Sequence, residues 1–143
     1  MSAGPNPGMD QDTFEQFHEQ LERYVRERLI PAEKDMIEHD KVPEDILSEM
    51  KEMGLFGLTV PEDFGGAGLN ITQYAKVVQT MAYAAPAFRS IFSINVGMFN
   101  SAIKNGGTDA QKAEWWPKIA EGAIACFGLT EPGSGSDSAA MQT

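Results

Sequence analysis

The sequence predicts a mainly α-helical fold, a bundle of helices that gives way near its end to the first strand of a β-domain. Two observations predict this class. Apolar residues recur three and four positions apart through most of the chain before Gly122. A short apolar run over 123–129 then lies between Gly122 and the pair Pro132-Gly133, as strands commonly do. We therefore expect a flexible tail over 1–10, a helical domain over 11–122 and the start of the β-domain over 123–143.

Composition narrows the class of protein. The chain has 143 residues, 42% of them hydrophobic, so it can bury a core of ordinary size. Its formal net charge of -10 opposes binding to the phosphates of nucleic acids. The single cysteine, Cys126, excludes an internal disulfide, and no apolar run is long enough to span a bilayer. No basic and apolar leader begins the sequence. These features predict a soluble, cytoplasmic protein that binds no nucleic acid and has no membrane span.

Caps and apolar spacing predict the first helix. Thr13 and Gln16 have the spacing of a capping box, which places the cap at Thr13. Pro31 is expected to end this helix or to begin a second short one that runs through Ile37. One helix face then carries five apolar side chains: Phe14, Phe17, Leu21, Val25 and Leu29.

Proline and glycine divide the middle of the chain. A helix is expected from Pro43 to a cap at Gly54, followed by a loop over 55–68 that contains Pro61. A fourth helix over 72–85 and a fifth over 86–106 follow. The fifth is apolar nearly all round, so we expect it to be the central buried helix. The fourth is expected to turn five residues inward: Tyr74, Val77, Val78, Met81 and Ala82.

The last helix and the strand complete the prediction. Thr108 is expected to cap a sixth helix that carries Trp115 and Trp116, and Pro117 is expected to interrupt it. Cys126 on the following strand is expected to be a buried small residue.

The segment 127–137, Phe-Gly-Leu-Thr-Glu-Pro-Gly-Ser-Gly-Ser-Asp, is the most informative for chemistry. A strand that runs into a Gly/Ser loop leaves main-chain N–H groups uncovered, and these can converge on an anion or on ring heteroatoms. Gly133 and Gly135 permit close approach of the backbone or a positive φ. The hydroxyls of Thr130 and Ser136 add donors. From these residues alone, a flexible turn between two domains stays the leading interpretation.

Common catalytic motifs are missing from this segment. It has no Gly-x-Ser-x-Gly elbow of a serine hydrolase. Gly133-Ser134-Gly135 is followed neither by the third glycine and the helix of a dinucleotide fold nor by the lysine of a P-loop.

Three segments in the same order carry a resemblance to a known family. They are the loop 127–137, the segment 54–68 with its Val-Pro-Glu-Asp-Phe-Gly-Gly-Ala-Gly, and 107–112 followed by Trp-Trp-Pro-Lys at 115–118. Together they resemble the acyl-CoA dehydrogenase family over roughly 13–137. The resemblance implies the family's N-terminal helical domain, the first strand and flavin loop of its middle β-domain, FAD as cofactor and an acyl-CoA as substrate.

The resemblance also implies a reaction. The family oxidises an acyl-CoA to the trans-2-enoyl-CoA: a glutamate removes the α-proton, and the β-hydrogen leaves as hydride to flavin N5. Electrons usually pass on to an electron-transferring flavoprotein, and the full-length enzyme is expected to be a homotetramer or homodimer. Ser136 is expected to contact substrate as well as cofactor, and Thr130 to bond near N5. By position, the residues expected to bind the flavin are Phe127, Leu129, Thr130, Gly133, Gly135 and Ser136.

No catalytic residue is expected in this chain, because the family's glutamate base belongs to a motif beyond Thr143. Glu131 is expected to be structural, and residues 1–143 alone are expected not to oxidise acyl-CoA. An acyl-CoA oxidase or a related flavoenzyme of the same fold stays an alternative. A helical interaction module without flavin is another.

Weaker signals concern substrate and metal. Phe88-Arg89-Ser90 locally resembles glutaryl-CoA dehydrogenase, in which an arginine binds the distal carboxylate, but a surface or capping role for Arg89 stays the leading interpretation. His18 and His39 have no partner at ligand spacing, so no metal is expected. Four residues fall where the family's acyl pocket has its floor, although core packing explains them equally: Ile94, Val96, Gly97 and Met98.

Overall fold

The protein is described by a computed structural model over residues 6–143. Within these residues the chain forms seven α-helices, which confirms the mainly α-helical class. Two π-helical turns, Val25–Leu29 and Ile94–Phe99, join α1 to α2 and α5 to α6 without a break. The helices are α1 (Gln11–Tyr24), α2 (Ile30–His39), α3 (Glu44–Glu52), α4 (Ile71–Met81), α5 (Pro86–Ser93), α6 (Asn100–Gly106) and α7 (Asp109–Ala120).

Helix α1 begins earlier than the predicted capping box. Asp10 is the cap, and its Oδ1 accepts a hydrogen bond from Thr13 N over 3.0 Å. Aspartate caps at least as well as threonine, and the earlier start lengthens the helix. The predicted face is confirmed, with Phe17 partly buried beside four buried side chains: Phe14, Leu21, Val25 and Leu29.

Pro31 does not end the helical run; α2 begins at Ile30 with Pro31 in its first turn, which is the second of the two expected alternatives. The π-helical turn Val25–Leu29 comes just before it, and Ile30 N donates to Val25 O five residues back. A proline in a continuous helix removes one N–H and crowds the preceding turn, and a wider turn relieves that crowding. The helix runs on to Asp40, which ends it in the left-handed region with φ of 48°.

The predicted loop after α3 is closed on itself by backbone hydrogen bonds. Leu69 N donates to Leu58 O over 2.8 Å, and Gly68 N donates to Val60 O over 2.9 Å. Gly66 permits this closure, because a Cβ at that position would lie 2.1 Å from Val60 O. The loop thereby contributes apolar side chains to the core: Leu55, Phe56, Leu58, Val60 and Leu69.

Helix α4 is shorter than predicted. Asn70 and Gln73 form a capping box at its start, and the helix ends at Met81 rather than at 85. Val77 and Met81 are buried as expected, whereas Ala82 is exposed because the helix has already ended.

The long helix α5–α6 is buried on one face only, so the prediction of all-round burial is wrong for the described residues. Phe88, Phe92 and Val96 are buried in the core, whereas Met98 is 47% exposed. Residues 6–143 supply packing partners for one side of this helix, and its opposite side faces solvent in this chain.

Helix α7 confirms one prediction and corrects another. Thr108 is the cap, as expected, and Gln111 completes a capping box with it. Pro117 does not interrupt the helix, which runs on to Ala120, with Glu121 N donating to Pro117 O over 3.0 Å. Proline removes only its own donor, and its carbonyl still accepts from the next turn.

Two apolar clusters form the core. The larger cluster joins α1, α3, α4 and α5 with the loop after α3. The smaller one consists of Val60, Trp116 and Ile119, and Ala125 packs against it from the segment after α7.

The described part of the expected flexible tail, residues 6–10, packs against the domain. Asn6 Nδ2 donates to Thr59 O over 2.8 Å, and Gln73 Nε2 donates to Met9 O over 2.7 Å. These bonds differ from the flexibility expected of 6–10, while positions 1–5 lie outside the described residues. A polar residue such as Asn6 makes a segment look solvated in sequence even where its amide group binds main-chain carbonyls.

Candidate cofactor-binding loop

The segment 123–129 follows α7 through a turn at Gly122, whose φ is 92°. Residues 6–143 contain no β-ladder that includes this segment, so the predicted strand is not formed here. A strand is stabilised by hydrogen bonds to a neighbouring strand, and none of the described residues supplies one. The expected burial of Cys126 is also wrong, because its side chain is exposed.

Asn95 holds the beginning of this segment against the second π-helical turn. Its side chain is fully buried, with 0% exposure. Its Nδ2 donates to Ala123 O over 2.5 Å, and its Oδ1 accepts from Ala125 N over 2.8 Å. One side chain thus satisfies two main-chain groups that a strand neighbour would otherwise satisfy.

A second asparagine on the same helix ties α7 to the loop after α3. Asn100 Oδ1 accepts from Trp116 Nε1 over 2.6 Å, and its Nδ2 donates to Thr59 Oγ1 over 2.7 Å. Thr59 in turn donates to Val96 O over 3.0 Å. In this series of hydrogen bonds each buried polar group has a partner, as burial requires.

The Gly/Ser loop begins with a tight turn. Glu131 N donates to Ser134 O over 2.9 Å, and Ser134 N donates to Glu131 O over 3.1 Å. Ser134 is only 4% exposed, and its Oγ donates to Asp137 O over 2.7 Å. The turn fixes the positions of the residues just before Glu131 and just after Ser134.

Glu131 uses its carboxylate within the loop. Its Oε2 accepts from Gln142 N over 3.0 Å, and its Oε1 accepts from Thr143 N over 3.1 Å. Hydrogen bonds from Thr143 and then from Gln142 lower the pKa of Glu131 below its ordinary value. Such a carboxylate is held in its ionised form and is weakly basic, which favours the structural role predicted for it.

The predicted flavin-binding residues lie along this exposed stretch and do not form a closed pocket with one another. Phe127 is 41% and Leu129 40% exposed. The other four are exposed as well: Thr130, Gly133, Gly135 and Ser136.

Their main-chain donors are available to a ligand. Within residues 6–143, none of these six amides donates a hydrogen bond to another protein group. A Cβ at Gly133 or Gly135 would meet no atom within 4 Å, and neither residue has a positive φ. Of the two roles expected of these glycines, close approach of the backbone therefore stays a prediction. Uncovered amides beside glycines fit a ligand that accepts hydrogen bonds from the backbone.

Arg89 lies half-buried on α5. Its Nη1 donates to Ser93 Oγ over 3.2 Å, and no carboxylate among the described residues lies within ion-pair distance of it. Burial raises the pKa of the Tyr74 hydroxyl, and the positive charge of Arg89 opposes that rise.

The four residues predicted for an acyl pocket are only partly brought together. Val96 and Gly97 line a cleft of about 250 Å³ with Thr59, Leu69 and Tyr74. Ile94 and Met98 do not line this cleft.

The expected absence of a metal site is not contradicted in the described part of the chain, where no His, Cys, Asp or Glu side chains cluster in threes at ligand distance. His18 Nε2 lies 2.8 Å from Thr80 Oγ1, and His39 Nδ1 lies 3.0 Å from Asp35 O. Over 6–143 no helix is both long enough and apolar enough to cross a bilayer.

Asn95 and Asn100 were not predicted from the sequence. The available signal is that both stand inside the most apolar helix of the chain. Asparagine disfavours helix interiors, and a lone polar residue on an apolar helix must find a partner when it is buried. The apolar pattern indicates that each asparagine needs a partner but not which residue it is, because the partners are distant in sequence.

Comparison with known proteins identifies the chain. The family profile described as acyl-CoA dehydrogenase, N-terminal domain, matches residues 11–123. The very long-chain specific acyl-CoA dehydrogenase of Rattus norvegicus mitochondria is 39% identical over 122 residues, which are 85% of this chain and 18% of that protein. The (2S)-methylsuccinyl-CoA dehydrogenase of Cereibacter sphaeroides is 36% identical over 138 residues, 95% of this chain and 25% of that protein.

A solved structure agrees in fold. The glutaryl-CoA dehydrogenase of Mycobacterium smegmatis in complex with FADH2 superimposes with a TM-score of 0.79 and 32% identity, over 94% of this chain and 35% of that one. The chain therefore spans between about a fifth and about a third of the length of these relatives. By the match of its helical region and by these relatives, the chain belongs to the acyl-CoA dehydrogenase family.

Proposed function

We propose that this chain is part of an FAD-dependent acyl-CoA dehydrogenase, which oxidises an acyl-CoA to the trans-2-enoyl-CoA. The observation that carries the proposal is the loop of unpaired, exposed amides at the end of a helical domain that belongs to this family. FAD, when bound, supplies the acceptor for the hydride that leaves the β-carbon. Electrons then pass to an electron-transferring flavoprotein, as the family resemblance implies.

The residues of the chain would bind and orient the cofactor rather than carry out proton transfer. The amides of Phe127, Leu129 and Thr130 and the Thr130 hydroxyl are proposed to donate to the flavin ring. The amides of Gly133 and Gly135 are proposed to approach the pyrophosphate, and Ser136 to contact both cofactor and substrate. Donors at the ring set how readily it accepts electrons, and this is the protein's share of flavin chemistry.

The α-proton is proposed to leave to a glutamate that none of the described residues provides. Glu131 is held by two backbone amides and its pKa is lowered, which is the opposite of what a general base requires. We therefore expect residues 1–143 alone to give no flavin-coupled turnover of acyl-CoA. Turnover by that purified polypeptide would contradict this assignment.

The first experiment is to express the gene product that contains this chain and to record its visible spectrum. We expect a yellow protein with the two absorption bands of oxidised flavin, and bleaching when a saturated acyl-CoA is added without oxygen. A protein that stays colourless after reconstitution with FAD contradicts the cofactor assignment. Rapid re-oxidation of the bleached protein by oxygen would instead identify an acyl-CoA oxidase.

Gly135 offers a sharper test of the loop. A Cβ there meets nothing within 4 Å, so Gly135→Val should leave the stability of the protein without FAD within about 0.5 kcal/mol of wild type. If the glycine admits the cofactor, the same variant should bind FAD at least about tenfold more weakly, since overpacking costs 1–3 kcal/mol. Ser138→Ala, at an exposed serine beyond the loop, is the matched control and should change neither quantity. Unchanged FAD affinity in Gly135→Val would contradict the placement of the cofactor.

Arg89 favours one class of substrate. Arg89 is a half-buried guanidinium without a carboxylate partner in the described residues. Such a group can donate two parallel hydrogen bonds to a carboxylate of a ligand. We propose that the substrate is an acyl-CoA with a distal carboxylate. Two of the relatives above are described as acting on thioesters of dicarboxylic acids, glutaryl-CoA and (2S)-methylsuccinyl-CoA.

A further inference from the structure

Asn95 differs from an ordinary buried polar residue in the partners it has. It lies in the second π-helical turn, where Asn100 N donates to Asn95 O five residues back. Its side chain makes no bond within the helix. Both of its polar atoms bond to main-chain groups about 30 residues further along, in the segment that leads into the loop.

The geometry of these two bonds is that of a parallel β-ladder. In such a ladder one residue donates to the carbonyl before the residue opposite it and accepts from the N–H after that residue. The Asn95 carboxamide donates to Ala123 O and accepts from Ala125 N, so it takes the place of a strand residue opposite Ile124. Ile124 itself points away and is 51% exposed.

This pairing selects one register of the segment. Side chains alternate between the two faces of an extended segment, so a shift by one residue exchanges the faces. With Asn95 in place, Ala125 packs against the cluster of Val60, Trp116 and Ile119. A shifted pairing would turn Cys126 or Ile124 toward that cluster and would reverse the face on which Thr130 is presented.

We propose that Asn95 is a positioning residue that sets the register of residues 123–130 and thereby the direction in which the loop after them is presented to the flavin. The proposal rests on the proposed function for its flavin part. Its register part concerns only contacts within this chain. The two parts are separable by experiment.

Asn100 provides the matched control. It is an asparagine on the same helix, 3% exposed, with two side-chain hydrogen bonds of similar length. Its partners are Trp116 and Thr59, neither of which lies in the segment 123–130. Replacing either asparagine removes two side-chain hydrogen bonds, but only those of Asn95 are made to the segment itself.

The experiment measures two quantities in the gene product that contains this chain. One is the hydrogen-exchange rate of the Ala125 amide, followed by NMR with ¹⁵N-alanine. The other is the dissociation constant of FAD, measured on protein freed of flavin. The first variant is Asn95→Leu, whose side chain keeps the shape of asparagine. The second is Asn95→Ala, in which water can hydrate the two backbone groups, so that the experiment can still be read if Asn95→Leu does not fold. Asn100→Leu is measured beside them.

We expect both Asn95 variants to exchange the Ala125 amide at least about tenfold faster and to bind FAD at least about tenfold more weakly, because a hydrogen bond is lost at each backbone group. We expect Asn100→Leu to lower the melting temperature while it leaves the Ala125 exchange rate and the FAD affinity near those of wild type. Equal loss of FAD affinity in Asn100→Leu, or none in the Asn95 variants, overturns the positioning role. A wild-type protein that binds no FAD but shows the Asn95-dependent exchange refutes the flavin assignment and leaves the register assignment intact.

Discussion

Trp116 donates its indole Nε1–H to Asn100 Oδ1 over 2.6 Å, and both side chains are buried. This bond joins α7 to the helix α5–α6 across the smaller apolar cluster. Replacing Trp116 by phenylalanine leaves the Asn100 acceptor unpaired, so we expect a loss of about 1–3 kcal/mol in the free energy of unfolding, with lost packing in addition. Urea unfolding followed by circular dichroism measures it.

The neighbouring tryptophan is the control for that experiment. Trp115 is 39% exposed and its indole N–H donates to no protein group among the described residues. Trp115→Phe should therefore change the free energy of unfolding by less than about 0.5 kcal/mol. Equal losses in the two variants would mean that the smaller size of the phenylalanine ring, rather than the lost hydrogen bond, is responsible.

Gly66 should be intolerant of even a methyl group. Its Cβ would lie 2.1 Å from Val60 O, inside the loop that packs Leu58 and Val60 into the core. Gly66→Ala should cost about 1–3 kcal/mol, the usual penalty for overpacking. Gly106, at the end of α6, has no atom within 4 Å of its Cβ, so Gly106→Ala should be neutral or stabilising by up to about 1 kcal/mol. Thermal melts of both variants give the comparison, and a neutral Gly66→Ala would contradict the closed loop.

The helices were predictable because apolar periodicity and caps are local signals. The start of the helix at 109 follows from the cap at Thr108, and the buried face of α1 follows from the spacing of its apolar residues. The errors arose where long-range packing decides. Pro117 was expected to interrupt its helix, but α7 runs through it. Pro31 was expected to end one helix or to begin another, and it lies in the first turn of α2, which the π-helical turn joins to α1.

The position of the candidate site stays a prediction from the motif, and the residues that hold the loop in place were not predicted. The motif placed the loop at 127–136, and the six residues predicted to bind flavin are exposed there, with amides that donate to no protein group among residues 6–143. Asn95, which holds the approach to that loop, could not be paired with Ala123 and Ala125 from the sequence, because no local rule joins residues about 30 positions apart. The strand was predicted from an apolar pattern, but a strand also needs a neighbour that residues 6–143 do not contain.

Stability at alkaline pH should depend on Tyr24. Burial, followed by the charge of Glu49, raises the pKa of its hydroxyl above the ordinary value of 10.0, against an opposing effect of Arg28. A raised pKa means that the folded state favours the neutral phenol. The contribution of the Tyr24 hydroxyl to the free energy of unfolding is therefore fully present below about pH 10. It is lost as the pH rises from there through the folded-state pKa.

The difference between wild type and Tyr24→Phe measures this contribution. The free energy of unfolding of wild type should fall more steeply above pH 10 than that of Tyr24→Phe, in which no proton can leave. Tyr83 is 77% exposed, so Tyr83→Phe should follow wild type. Parallel curves for wild type and Tyr24→Phe would show that the burial of Tyr24 does not affect its ionisation.

Arg89 should distinguish substrates by their distal group. Arg89→Ala in the full gene product should lower kcat/KM for glutaryl-CoA by about tenfold or more, since a hydrogen bond between charged groups contributes about 1.5–3 kcal/mol. For butyryl-CoA, which has no distal carboxylate, we expect a change of less than about threefold. Arg89→Lys keeps the charge but loses the planar guanidinium, so its kcat/KM for glutaryl-CoA should lie between those of wild type and Arg89→Ala. An equal loss on both substrates would assign Arg89 to packing or capping.

The isolated polypeptide 1–143 should associate through the face that carries the loop. The Asn95 bonds and the contact of the Phe99 and Trp115 rings, 6.3 Å between centroids, connect the second π-helical turn, α7 and 124–129. These elements carry five exposed apolar side chains: Met98, Trp115, Ile124, Phe127 and Leu129. A contiguous apolar patch in a monomer favours association. Analytical ultracentrifugation should show a concentration-dependent increase in mass, and the double variant Phe127→Ser, Leu129→Ser should shift the equilibrium toward monomer. Ile37 on α2 is 72% exposed but lies apart from this face, so Ile37→Ser should leave the association unchanged. A sharp, concentration-independent melt of a monomer would show instead that the face is stable in water.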